Sequence, residues 1–213
     1  MSRPRILVAD DHRIVAEGLR SLLEPKFDLV EIVGDGRQLI EAAKRLVPDV
    51  IVADITMPEL NGLDALEQLR QSGCKARVVF LTMHKDASYA IRALRAGALG
   101  FVLKHSASSE LVTAIERSLI GKTYVTPAIA EVLERSSISR STDVYGDLLL
   151  TLRQREVLQL FAEGRSAKEV AHNLHISTRT AENHKARIMK VLGAATTADL
   201  VQCAIRHGLI GPT

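Results

Sequence analysis

Four short apolar runs punctuate the first half of the chain: Ile6-Leu7-Val8-Ala9, Val50-Ile51-Val52-Ala53, Val78-Val79-Phe80-Leu81 and Gly100-Phe101-Val102-Leu103. Each ends on a polar side chain, respectively Asp10-Asp11, Asp54, Thr82 and Lys104. Val/Ile/Leu-rich runs of this length, separated by segments of helical period, predict buried parallel strands in a βαβ array. The pattern places strands near 5–9, 29–33, 50–53, 77–81 and 100–103, with helices near 13–23, 37–46, 62–71, 87–96 and 108–120. Ile14, Leu19, Leu22 and Leu23 follow helical spacing in the first helix; Leu111, Ala114, Ile115 and Leu119 do so in the fifth. The expectation is an α/β doubly wound domain with a five-stranded parallel sheet and right-handed crossovers. Ligand chemistry in such a sheet gathers at the carboxyl ends of the strands, where strand order reverses. Three carboxylates, a hydroxyl and an ammonium are therefore expected in one crevice.

After Gly121 the pattern changes. Pro127 can open a short helix at 128–135. The stretch Ser136-Ser137-Ile138-Ser139-Arg140-Ser141-Thr142-Asp143 is polar, lacks apolar periodicity and reads as a linker. From Leu150 the helical period returns without a strand run, predicting helices near 153–163, 167–174, 178–192 and 197–207. Gly164, Gly193 and Gly208 stand where C-terminal caps belong. The expected division is a first domain over 1–122, a linker with a short helix over 123–147 and an all-α four-helix domain over 148–213.

Composition sharpens this only in part. Hydrophobic content of 46% supports a packed core, and 3% aromatics without Trp make it aliphatic. Cys74 and Cys203 are far apart and have no metal-ligand spacing, so neither a disulfide framework nor a zinc site is expected. With no signal-peptide pattern and no membrane-length apolar run, the expected location is cytoplasmic. The net charge of +3 is unevenly spread: residues 1–121 hold 16 basic and 16 acidic side chains, residues 148–213 hold 9 and 5. The positive excess sits in the C-terminal third, as a nucleic-acid partner there requires.

The crevice residues suit a divalent cation and a phosphoryl group. Mg²⁺ takes one or two carboxylates, a phosphate oxygen and waters. Asp11 and Asp54 can supply the carboxylates, with Asp10 acting through water. Clustered carboxylates without a cation are electrostatically costly, so the cluster itself predicts a metal. Asp54 can attack phosphorus to give an acyl phosphate. Lys104 and the Thr82 hydroxyl can then hold the phosphoryl oxygens.

The segments Leu7-Val8-Ala9-Asp10-Asp11-His12, Asp54 through Gly62, Leu81-Thr82 and Gly97 through Lys104 resemble the flavodoxin-like receiver domain of two-component response regulators. The likeness covers about residues 4–122. It implies that Asp54 accepts a phosphoryl group from a sensor histidine kinase. It implies that Asp11, Asp54 and the Thr56 carbonyl bind Mg²⁺ with help from Asp10. It also implies that Thr82 and Phe101 form a switch pair, the aromatic turning inward as the threonine engages phosphate. The chain departs from the family at His105, where many receivers carry proline after the lysine; a trans peptide is expected there. Phe101 replaces the more frequent tyrosine and brings no hydroxyl.

In the C-terminal third, residues 166–192 read as two helices joined by a tight turn, with Ser177 as N-cap of the second. Ala181, His184, Ile188, Val191 and Leu192 share one face of that helix and are expected to pack. Arg179, Glu182, Asn183, Ala186, Arg187 and Lys190 share the opposite face, which suits a major groove. Glu182, Asn183 and Ala186 fit base edges. Thr178, Thr180, Lys185, Arg187 and Lys190 fit phosphates. Leu150 through Leu158, Ser166 through Ala171 and Ile176 through His184 resemble the helix-turn-helix domain of LuxR/NarL/FixJ-type regulators, over about 149–211. That resemblance implies binding to double-stranded DNA and a homodimer contact through the last helix, where Leu200, Val201, Ala204 and Ile205 are candidates.

Together these readings predict a phosphorylation-controlled transcription regulator, not an enzyme. Two alternatives stand beside it: a Mg²⁺-dependent phosphohydrolase with an aspartyl nucleophile, and a regulator whose receiver serves only dimerisation. Against the first, Thr56 occupies the position two after Asp54 where a general acid is wanted. Against the second stands the intact acidic set.

Overall fold

A computed structural model describes residues 3–83, 85–138 and 150–211. These form two compact units. In the first, β1 (Arg5–Ala9), β2 (Asp28–Val33), β3 (Val50–Ala53), β4 (Arg77–Thr82), β5 (Gly100–Leu103) and β6 (Tyr124–Val125) make one parallel sheet in the order β2-β1-β3-β4-β5-β6. The helices between them are α1 (Arg13–Leu23), α2 (Gly36–Leu46), α3 (Gly62–Gln71), α4 (Ala87–Arg95) and α5 (Ala107–Leu119). A 3₁₀ turn, Lys104–Ser106, precedes α5, and α6 (Pro127–Ile138) follows β6.

The apolar runs are continuous because both faces of the sheet are covered. On one face Ile6, Val8, Val50, Val52, Val79, Leu81 and Val102 pack with Leu19 and Leu23 of α1 and Leu111, Ala114 and Ile115 of α5. Each Val, Leu or Ile among them contributes about 1.5–3 kcal/mol by leaving water. Strand order reverses between β1 and β3, which puts the residues after Ala9 and Ala53 side by side. Ala9 is in register with Ala53, Ala53 with Phe80, and Thr82 with Leu103. The Asp54 amide donates to the Ala9 carbonyl at 2.8 Å, carrying the β1–β3 ladder one step past the strand. Asn61 caps α3 by accepting from the Asp64 amide at 3.0 Å. Gly62 is required where it stands: a Cβ there would lie 2.1 Å from the Asp54 carbonyl oxygen.

Three features differ from the pattern-based expectation. The sheet has six strands, because Tyr124–Val125 pairs with Gly100–Phe101; two residues are too few to show a period. The helix opened by Pro127 runs to Ile138 rather than ending near 135. Ile14 is 90% exposed and takes no part in the core, since the buried stripe of α1 is Ala16, Leu19 and Leu23. The remainder of the expected linker, 139–147, and the first two residues of the expected second domain, 148–149, lie outside the described residues.

The second unit holds α7 (Leu152–Ala162), α8 (Ala167–Asn173), α9 (Thr178–Leu192) and α10 (Thr197–Arg206). Local chemistry sets its helix starts. Thr151 with Gln154, Ser166 with Glu169, and Thr196 with Asp199 form reciprocal capping boxes. Ser177 caps α9 by accepting from the Thr180 amide at 3.1 Å. Gly193 ends α9 in the left-handed region at φ 65°. Val157, Leu158, Phe161, Val170, Leu174, Ala181, Ile188, Leu200 and Ala204 build its core. Arg153 pairs with the buried Glu156 at 2.6 Å and donates to the Leu174 carbonyl at 2.6 Å, tying the start of α7 to the turn before α9.

Candidate functional site

The crevice at the carboxyl edge of the sheet brings Asp10, Asp11, Asp54 and Lys104 together. Asp10 leaves β1 and Asp54 leaves β3, both 4% exposed. Lys104, the first residue past β5, reaches between them: its Nζ donates to Asp54 Oδ2 at 2.6 Å and lies 2.7 Å from Asp10 Oδ2. Asp54 Oδ1 accepts from the Ile55 amide at 2.6 Å, with the Thr56 amide further off at 3.4 Å. One carboxylate oxygen is thereby fixed by backbone and the other by an ammonium. Asp11 stands at the exposed rim. Ligand atoms of Asp10, Asp11, His12 and Asp54 all lie within 4.8 Å of one another.

Burial pushes the Asp54 carboxyl above its usual range, and Asp10 adds to the rise; Lys104 and the Ile55 amide offset it only in part. A less acidic carboxylate is a more basic, better nucleophile. Burial works against the Lys104 charge, yet Asp54 and Asp10 hold its pKa above that of an ordinary lysine. The ammonium is thus a fixed positive charge aimed at the position a phosphoryl group on Asp54 would take. Asp10 Oδ2 is buried and faces that ammonium as an ion pair. The carboxylates of Asp10, Asp11 and Asp54, hard oxygen donors within 4.8 Å of one another, fit a divalent cation.

Thr82 is fully buried at the end of β4, opposite Leu103. Phe101 is fully buried and in register with Phe80 on β4 and Val125 on β6. The peptide joining Lys104 to His105 is trans, as expected. Spacing alone did not single out His12 or Thr126. His12 enters the acidic group because it follows Asp11 directly. The Thr126 hydroxyl accepts from the Leu103 amide at 3.2 Å and donates to Glu110 at 2.6 Å. It ties β5, one residue before Lys104, to α5 and to the start of α6.

In the second unit Thr178, Arg179, Glu182, Asn183, Ala186, Arg187 and Lys190 are exposed along α9, and Thr180 is half-buried, its hydroxyl 2.8 Å from that of Ser177. Two positions depart from the expected faces. Val191 is 39% exposed and lies off the packed stripe of Ala181 and Ile188. The half-buried Lys185 sits over the Phe161 ring at 4.8 Å and donates to Thr197 at 3.1 Å. Among the described residues no single helix is long and apolar enough to cross a membrane.

A family model for the response regulator receiver domain matches residues 6–116, and one for the luxR family of bacterial regulatory proteins matches residues 148–204. The transcriptional regulatory protein MctR of Rhizobium johnstonii is 37% identical over 209 residues, covering 97% of this chain and 95% of MctR. The oxygen regulatory protein NreC of Staphylococcus aureus is 33% identical over 217 residues, covering 97% and 99%. Among solved structures, a LuxR-family two-component response regulator from Aurantimonas sp. matches at 37% identity and TM-score 0.62, over 64% of this chain and 99% of that one. A complex of the response regulator RcsB with DNA matches at 27% identity and TM-score 0.59, over 94% and 97%.

Proposed function

The chain belongs to the LuxR family of two-component response regulators, and on that premise we propose that it is a DNA-binding transcription regulator switched by phosphorylation of Asp54. A sensor histidine kinase supplies the phosphoryl group. Asp54 forms an O–P bond as the P–N bond of the kinase phosphohistidine breaks, and the histidine nitrogen keeps the electron pair. The observation that carries this reading is the Lys104 ammonium held 2.6 Å from Asp54 Oδ2 in a buried pocket where the carboxylate stays basic.

Asp10, Asp11, Asp54 and the Thr56 carbonyl would hold Mg²⁺, which when bound neutralises charge on the transferring group. Lys104 pairs with phosphoryl oxygens, and the Thr82 hydroxyl donates to one of them. The new charge biases a two-state arrangement of Thr82 and Phe101. Domain boundaries at 1–122, 123–147 and 148–213 follow from this reading. So do a cytoplasmic location, dimerisation on paired half-sites and the absence of substrate turnover.

The α9 ridge supplies base and phosphate contacts. Glu182, Asn183 and Ala186 read base edges; Thr178, Arg179, Thr180, Arg187 and Lys190 hold phosphates, and Lys185 joins them by leaving Phe161. The test is DNA selection with phosphodonor-treated protein, followed by affinity measurement on the selected duplex. Wild type gains affinity on treatment and Asp54→Asn does not. An equal gain in both proteins contradicts the reading.

A further inference from the structure

The amino edge of the sheet, opposite the phosphoryl pocket, carries a cavity of about 490 Å³. Its walls are the end of α2 with the turn into β3, and the loop from α3 into β4. That volume lies within the roughly 300–1,000 Å³ of small-molecule sites. Lys44, Lys75 and Arg77 line it against one carboxylate, Asp49. Among the described residues the three cationic side chains form no ion pair. Arg5, on the same edge, is instead engaged by the Leu46 carbonyl and by Asp28 at 4.0 Å. Asp49 is turned to the backbone, its Oδ2 accepting from the Arg5 amide at 2.8 Å. Three cations against one carboxylate leave a net of two positive charges in a concave site, which concentrates anions there. The loop wall is braced: Arg70 donates to the Cys74 and Ala76 carbonyls, both at 2.9 Å, and to the Gly97 carbonyl at 3.2 Å. The facing wall is apolar. Val47 lines the cavity, is 74% exposed and stands at φ 47°, in the left-handed region that favours glycine. A β-branched residue is strained there, the more so ahead of Pro48. Glycine would relieve the backbone and remove the wall.

We propose that this cavity is a binding site for a nucleoside polyphosphate. The net positive charge matches a chain of two or more phosphates. Arg77 supplies a planar fork for phosphate oxygens, and Lys44 and Lys75 supply point charges. Val47 and Pro48 give the base an apolar surface to lie against. The site stands apart from the phosphorylation of Asp54, which belongs to the other edge of the sheet.

The test is calorimetric titration of the full chain with ADP, inorganic pyrophosphate and adenosine in metal-free buffer. Wild type is compared with the double variant Lys44→Gln, Lys75→Gln and with Val47→Gly, all changes of exposed side chains. Wild type is expected to bind ADP more tightly than pyrophosphate. The double variant is expected to lose at least about tenfold in affinity for both. Val47→Gly is expected to lose about threefold for ADP and nothing for pyrophosphate. Because α9 also carries cations, the place of binding is read separately. Cys74 lines the cavity and is half-buried, whereas Cys203 is buried. Saturating ADP is expected to slow alkylation of Cys74, followed by peptide mass, and to leave Cys203 unchanged. No ADP binding by wild type, equal ADP affinity in the double variant, or an unchanged rate at Cys74 overturns the proposal. ADP held no better than pyrophosphate also overturns it, since the cavity would then be a plain phosphate patch.

Discussion

Gly62→Ala tests how tightly the loop after β3 is built around Asp54. The added Cβ would meet the Asp54 carbonyl oxygen at 2.1 Å and Phe80 Cε1 at 3.0 Å, where ordinary contact begins at 3.4 Å. The backbone must therefore open by about 1 Å. It has little freedom to do so. The Gly62 amide is bonded to the Ile55 carbonyl at 2.7 Å, and the Asp54 amide to the Ala9 carbonyl at 2.8 Å. Forcing a methyl into a packed site costs about 1–3 kcal/mol. At roughly 4 °C per kcal/mol for a domain of this size, the receiver transition should fall by about 4–12 °C. A displacement of this size at the nucleophile also slows reaction with a small phosphodonor by on the order of 10²-fold. Calorimetry and time-resolved intact mass measure the two effects. Gly18→Ala is the control: nothing lies within 4 Å of its Cβ, so that change within α1 should be neutral or stabilise by about 0.5–1 kcal/mol. Wild-type melting and labelling rate in Gly62→Ala would refute the close approach and the argument built on it.

Thr126→Val leaves the buried Leu103 amide without its side-chain acceptor; a loss of about 1–3 kcal/mol in receiver stability is expected by denaturant titration, with Asp54 still labelled by phosphodonor. Hydrogen bonds from Ser166 hold the Glu169 carboxyl below its usual range. A depressed folded-state pKa means stabilisation that is full at neutral pH and lost as pH falls through the carboxylate range. Acid titration of the second unit should therefore show a loss of stability that Glu169→Gln flattens, and parallel curves would contradict it. On DNA, Asn183→Ala should cost about 1–3 kcal/mol at particular bases and relax preference there, whereas Lys190→Ala should weaken all sequences alike and lower the salt slope by about one; identical profiles would remove the division of labour along α9.

The sheet was legible because strands buried on both faces must be apolar throughout, and because the runs of β1, β3 and β5 each end on a charged side chain that leaves the strand, whereas Thr82 stays within β4. Asp10, Asp54 and Lys104 meet in space since strand reversal at β1 and β3 is a rule of topology that sequence order implies. Features resting on few residues or on tertiary placement were not legible. Tyr124–Val125 is too short to show a period. Ile14 and Val191 keep helical spacing, yet each falls outside the buried stripe of its helix. Lys185 looks like any solvated lysine in sequence until Phe161 is brought beneath it. Thr126 gains its role only when a hydroxyl far along the chain meets the Leu103 amide.

The central claim is that one buried aspartate, backed by Lys104, takes the phosphoryl group. Intact mass with site mapping, after treatment with a small phosphodonor and Mg²⁺, tests it most directly in wild type, Asp54→Asn and Lys104→Ala. Wild type is expected to gain one phosphoryl group on Asp54, Asp54→Asn none, and Lys104→Ala to label more slowly. Full labelling of Asp54→Asn, or a phosphoryl group mapped to another residue, would contradict it.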